Sequence, residues 1–198
     1  TQATTAKASS NPAAAIKVVI AVNAAETLAA ITVVATDSAS TSFAPATDLA
    51  ALGTGDTSGI AIYNDVNGSV SGSFDATDTV VTLSSASAFS SGSTTLTLAS
   101  PGAAGTYYIV YRTAAAAAHN HSFVLTIPAN GIATSTNSPT ITAVTTSPIA
   151  VDTTAPTVNA NMTGPANDPT GVNRVPISTF IHMGFNEMLD QSTINPTN

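Results

Sequence analysis

The chain contains no cysteine and no tryptophan. Without thiols it holds neither a disulfide nor a cysteine-based metal or redox centre. Charge is scarce too, at 8% of residues, against about 25% in a typical soluble domain. Cations are scarcest: between Lys17 and Arg112 there is no Lys or Arg at all, while Glu26, Asp37, Asp48, Asp56, Asp65, Asp75 and Asp78 all fall in that interval. Such a chain, with a net charge of −7, cannot neutralise a phosphate backbone, which excludes nucleic acid as a partner. Scattered acidic residues are expected to stay solvated on the surface; the other use of an acidic stretch without counter-ions is to recruit metal cations. No apolar run approaches the ~20 residues that span a bilayer. The chain opens at Thr1 with no Met and no charged-then-apolar leader, as expected of a processed mature chain or an internal fragment.

What remains is rich in Ala, Thr, Ser and Val, a composition of strands and turns. Ile16–Val22 and Leu28–Ala35 are β-branched runs joined by a polar turn, and Asp48–Leu52 reads as a short helical turn capped by Thr47 or Asp48. Further strands are expected at 59–63, 79–83, 94–98, 106–112, 122–127 and 140–145. The Ala run at 113–119 is too short for a stable helix and reads as a loop. Short strands separated by frequent turn signals predict an antiparallel β-sandwich over 16–146, after a flexible tail at 1–15. Pro148 and Pro156 bracket an expected linker at 147–156.

Beyond the linker, Ile177, Thr179, Ile181, Met183 and Phe185 alternate onto one face, the period of a half-buried strand. Such a strand needs a facing sheet, and a sandwich needs about seven strands; only two or so are expected in 157–198. The second module is therefore expected to be cut from a longer protein or completed by another molecule. The residues Thr154-Ala155-Pro156, Phe185-Asn186-Glu187-Met188 and Asp190-Gln191-Ser192-Thr193-Ile194-Asn195 resemble the S-layer-associated bacterial immunoglobulin-like domain family, with Leu189 a one-residue departure. The resemblance implies an Ig-like fold and a secreted or surface location, with no catalytic residues.

Across 16–146, the segments Asp48-Leu49, Ser58-Gly59-Ile60-Ala61-Ile62-Tyr63-Asn64-Asp65, Phe74-Asp75-Ala76-Thr77-Asp78 and Tyr107-Tyr108-Ile109-Val110-Tyr111-Arg112 resemble β-sandwich modules of large bacterial and archaeal surface proteins. This too implies an extracellular module. Within it, the loop from Asn64 to Asp78 is the best candidate for chemistry. Calcium takes six to eight oxygens from a tightly turning loop. Asp65, Asn67 and Ser69 alternate around Gly68, with Asp75 and Asp78 placed to close the shell. There is no Glu at the twelfth position and two of the early ligands are neutral, so the alternatives are a calcium site, an ion-free Asx-rich turn and a site for another metal.

His119 and His121 would share one face of an extended strand, but a zinc or copper site needs three or four ligands; His182 is far along the chain, and exposed loop histidines are expected. No Gly-x-Ser-x-Gly elbow or His-x-x-Glu-His pair occurs. Asp75 and Asp78 make a weak glycosidase pair, since aromatic sugar platforms are few. A Lys–Asn isopeptide bond would have to use Lys7 or Lys17. Asn67, Asn120 and Asn161 head glycosylation sequons, relevant only in a source that glycosylates them.

The fold expectation is all-β: an antiparallel Ig-like β-sandwich followed by a partial second Ig-like module. The expected function is structural, not enzymatic. The chain would be an extracellular homo-oligomer, a subunit of a filament or S-layer-like assembly joined by intersubunit strand complementation, with Ile177, Ile181 and Phe185 at the contact. The alternative is an adhesin module for carbohydrate or another surface.

Overall fold

The computed structural model describes residues 5–7, 12–20, 26–53, 56–66, 72–135, 139–164 and 182–186. The chain divides into two units, Thr1–Thr153 and Thr154–Asn198.

Alternating β-branched residues build the first unit. In β3 (Leu28–Asp37), Ile31, Val33 and Ala35 are buried while Thr32, Val34 and Thr36 face away. In β6 (Ser93–Gly102) the buried positions are Thr94, Leu96 and Leu98, and in β8 (Ser122–Ile127) they are Ser122, Phe123, Leu125 and Ile127. These strands form one sheet in the order β1-β11-β8-β3-β6, where β1 is Thr5–Lys7 and β11 is Ile149–Asp152. Short β9 (Ile132–Thr134) also pairs with β3, and β10 (Val144–Thr145) with β8. The second sheet runs β2-β7-β4-β5, with β2 at Ala13–Ile20, β4 at Ile60–Asn64, β5 at Thr79–Val80 and β7 at Gly105–Tyr111. All pairs are antiparallel except β1 with β11.

One hydrophobic core joins the two sheets, so the first unit is an all-β sandwich. It includes Ile16, Val18, Ile60, Ile62, Ile109 and Tyr111 from the smaller sheet and Ile31, Val33, Leu96, Phe123, Leu125 and Ile149 from the larger. Each such aliphatic side chain contributes about 1.5–3 kcal/mol on burial, more than a typical net hydrogen bond at about 1 kcal/mol; the core therefore decides the register. Two segments cross between the sheets. β2 pairs with β7 in one sheet whereas β1 pairs with β11 in the other. Beyond β5, Val81 N–H still donates to Ile62 O, but Thr82 O accepts from Ala99 N–H and Ser84 N–H donates to Thr97 O, which covers the outer edge of β6.

Several expectations shift. Residues 149–152, expected in the linker, are β11, with Ile149 and Val151 fully buried in the core. Their two-residue alternation between prolines is too short to read as a strand. Residues 5–7 of the expected tail pair with β11, and β2 begins at Ala13. The strand expected at 140–145 shrinks to β10, and that at 79–83 to β5. The helical turn α1 lies at Pro45–Asp48, not 48–52. Pro45 starts it, with φ preset for the first turn, and the Asp48 carboxylate reaches back to accept the Ala44 N–H at 2.7 Å. Leu49 is then extended and bridges Thr113. The Ala run at 113–119 is a turn, as expected.

In the second unit, β12 (Val158–Gly164) pairs antiparallel with β13 (His182–Phe185), Val158 opposite Phe185. Ile177 and Ile181 lie outside the described residues. Among the described residues no helix is long and apolar enough to cross a membrane.

Candidate functional site

The connection between β4 and β5 carries the acidic loop, because Tyr63 pairs with Val80 and Asn64 with Thr79, turning the chain back on itself. Its carboxylates fasten the turn. Asp65 Oδ2 accepts the Gly72 N–H at 2.6 Å and the Tyr108 hydroxyl at 3.3 Å. Asp78 Oδ2 accepts the Asp75 N–H at 3.0 Å, and its Oδ1 the Val66 N–H at 3.4 Å. Asp75 Oδ1 accepts the Thr77 N–H at 2.7 Å, an Asx turn. Asp65 Oδ1 is buried, with no hydrogen-bond partner among the described residues.

Three of the five expected calcium ligands, Asp65, Asp75 and Asp78, thus belong to one hydrogen-bonded turn; Asn67 and Ser69 lie outside the described residues. Among the described residues no group of three or more His, Cys, Asp or Glu side chains is arranged to hold a metal ion. The loop also has a cation the sequence did not suggest. Lys17, on β2 opposite Tyr108, donates its Nζ to Gly72 O at 2.8 Å. The two residues are 55 apart in the chain, so only the pairing of β2 with β7 brings them together.

Phe74 packs edge-on against two rings, Tyr63 at 5.3 Å and Tyr108 at 5.8 Å between centroids. Beside them opens a groove of about 520 Å³ lined by Pro12, Tyr63, Phe74, Asp75, Ala76 and Asp78. The Tyr108 phenol is pushed up to about 12, first by burial and then by the charges of Asp65, Asp78 and Asp75 and the Asp65 hydrogen bond. Tyr63 is raised by burial, an effect that the Arg112 charge opposes.

Other acidic residues overturn the expectation of scattered, solvated surface Asp. Asp48 and Asp56 are buried. Asp56 Oδ1 accepts from Ser58 N–H at 2.7 Å, Ser58 Oγ at 2.8 Å, Gly59 N–H at 3.2 Å and Ser87 Oγ at 2.9 Å, while its Oδ2 takes Leu52 N–H at 2.7 Å. A carboxylate with this many donors is compensated for its lost hydration. The Asp-x-Ser-Gly pattern at 56–59 was the available signal, since Asp and Ser both bond backbone two residues on. Gly59 is required there: its φ is +75°, and a Cβ would lie 2.5 Å from Leu49 Cβ.

The histidines do not converge. His119 Nδ1 lies 3.5 Å from Asp152 Oδ1, and His121 Nδ1 lies 2.8 Å from Asp48 Oδ2. Asn120 between them has a φ of 64°, so the pair sits in a turn and not on the extended strand that would have aligned them. His119 is exposed, as expected; His121 is half-buried. Asn120 is exposed, but the Ser122 hydroxyl of its sequon is buried against Ser38 Oγ at 2.6 Å. Asn161 lies in β12, and Asn67 lies outside the described residues. Phe185, the one expected contact residue described, is half-buried on β13. No protein-family model matches the chain, and neither a curated protein nor a solved structure is significantly similar to it.

Proposed function

We propose that this chain is a structural module of an extracellular assembly, a subunit of a surface filament or S-layer-like array joined to its neighbours by strand pairing. The observation that carries the reading is the edge of β2. Seven of its eight residues pair with β7 along one side, and no described strand pairs the other. Val19 on this strand is 63% exposed, and Lys17 is its one charge. A strand edge of that length is a template for another chain. The second unit supplies a reciprocal element. Among the described residues its sheet has two strands, and a two-stranded sheet alone is marginal in water. Val158 on it is 54% exposed. Pairing β2 of one subunit with this unit of the next is a heterologous contact, which propagates as a filament unless the rotation closes.

The size of the native particle at physiological salt, by electron microscopy or light scattering, tests this. The expected result is a large homo-oligomer that both Val19→Lys and Phe185→Asp dissociate while the sandwich stays folded. A monodisperse monomer of 19.6 kDa overturns it, and a monomer that responds in a glycan screen favours a carbohydrate-binding adhesin instead.

We also propose calcium for the 65–78 loop. It is supported by Asp65 Oδ1, a carboxylate oxygen shielded from water with no partner among the described residues, in a turn that gathers Asp75 and Asp78.

A further inference from the structure

We infer that the groove between Phe74 and Asp78 is a binding site for an alkylammonium cation. Its size falls within the range of small-molecule pockets. Of its described lining residues two are aromatic, two are carboxylates, and none is basic. The rings of Tyr63 and Phe74 stand at 87° to one another. They form a corner and not the flat platform on which a pyranose ring stacks. A rounded ammonium group with apolar substituents fits such a corner, where ring quadrupoles and carboxylates attract the same charge.

Two described cations make hydrogen bonds of their own: Lys17 Nζ donates to Gly72 O, and Arg112 donates to Ala51 O. Neither lines the groove. The field of the carboxylates extends into the ring cluster, since Asp65, Asp78 and Asp75 all raise Tyr108. The net charge of −7 concentrates cations near the whole surface.

The test uses the full chain in EDTA, which keeps calcium out of the comparison and leaves the outcome independent of the calcium and filament readings. Choline and its uncharged isostere 3,3-dimethylbutan-1-ol are titrated, followed by NMR shifts and by tyrosine fluorescence, which no tryptophan obscures. Choline is expected to bind about tenfold tighter than the isostere. Asp75→Asn keeps an Oδ1 acceptor for Thr77 and removes the charge; it should weaken choline severalfold while the strand CD signal is retained. Phe74→Ala should weaken both ligands. N-acetyl-lysine methylamide, run beside choline, distinguishes a protein side chain from a free quaternary amine by which binds tighter. Equal affinity for the neutral isostere, displacement by methyl glucoside, an Asp75→Asn variant that binds choline normally, or no saturation in the millimolar range would each overturn the proposal.

Discussion

Tyr111 on β7 meets Phe123 on β8 edge to face, with ring centroids 5.6 Å apart and an interplanar angle of 85°. The contact crosses from one sheet of the sandwich to the other, and Phe123 also stacks on Phe43 at 4.5 Å. Both Tyr111 and Phe123 are fully buried, yet the Tyr111 hydroxyl has no hydrogen-bond partner among the described residues. A buried, unpaired hydroxyl costs about 1–3 kcal/mol of desolvation.

Tyr111→Phe keeps the ring contact and removes that cost. The expected outcome is a gain of about 1 kcal/mol, or roughly 2–4 °C in Tm for a chain of this size; a loss of stability would show that the hydroxyl has a partner. The same residue sets the alkaline limit. Burial pushes the Tyr111 phenol up to about 12, and Tyr108 is held as high. Both phenols are neutral in the fold, so the unfolded chain releases protons first. Ionisation costs the fold nothing below pH ~10, and stability falls as pH rises toward 12. Tyrosinate absorbance should therefore rise together with loss of strand CD signal.

Asp37 sets the acid limit. Its carboxylate accepts the N–H groups of Ala39, Thr41, Ser42 and Phe43 and the Thr41 hydroxyl, holding Ser40 and Ser42 at positive φ. These bonds, the Thr41 N–H foremost, hold it down at about 2, against an ordinary value of 3.8. A depressed value confers stability above pH ~4 that is lost as pH falls toward 2. The Tm of the native chain should drop through that window, and the curve for Asp37→Asn should be flatter there. Parallel curves would mean that other carboxylates govern acid unfolding.

Calcium at the acidic loop makes a separate forecast. An ion bound only by the native state stabilises by RT ln(1 + [L]/Kd), about 2.7 kcal/mol at a hundredfold excess over Kd. The melting curve should move up by several degrees between chelator and millimolar calcium, and Asp65→Ala should abolish the shift. A curve that stays put removes the ion and leaves the carboxylates as turn fasteners.

The strands that could be read from the sequence are those whose apolar alternation runs five residues or more, such as 28–35, 94–98 and 122–127. There the core face repeats often enough for period 2 to stand out. β9 and β11 were hidden because three or four residues cannot display a period, although Ile149 and Val151 are as buried as any. The site was half legible for a similar reason. The acidic loop announces itself by its spacing, and its place on a β4–β5 hairpin follows from the strands around it. Its partners Lys17, Tyr108 and Phe74 depend on sheet register, which sequence spacing does not encode. Asp48 and Asp56 were misplaced on the surface because an isolated Asp looks the same whether water or backbone N–H groups solvate it.

The two histidine–aspartate pairs beside β8 offer a controlled comparison, since they differ in burial and share a turn. Asp48 is 1% exposed. It accepts from His121 at 2.8 Å, from Ala44 N–H at 2.7 Å and from Ala118 N–H at 3.2 Å, so it ties α1 to the turn preceding β8. Asp48→Ala removes the acceptor of three part-buried donors at once and should cost about 1–3 kcal/mol, read as a fall in the urea midpoint with unchanged slope. His119 Nδ1 lies 3.5 Å from Asp152 Oδ1 and accepts the Thr153 N–H at 3.2 Å, with 43% of its side chain exposed. An exposed pair of this kind contributes at most about 1 kcal/mol, so His119→Ala should move the midpoint little. If the two variants lose equal stability, burial is not what separates the pairs, and Asp48 does not anchor the helical turn.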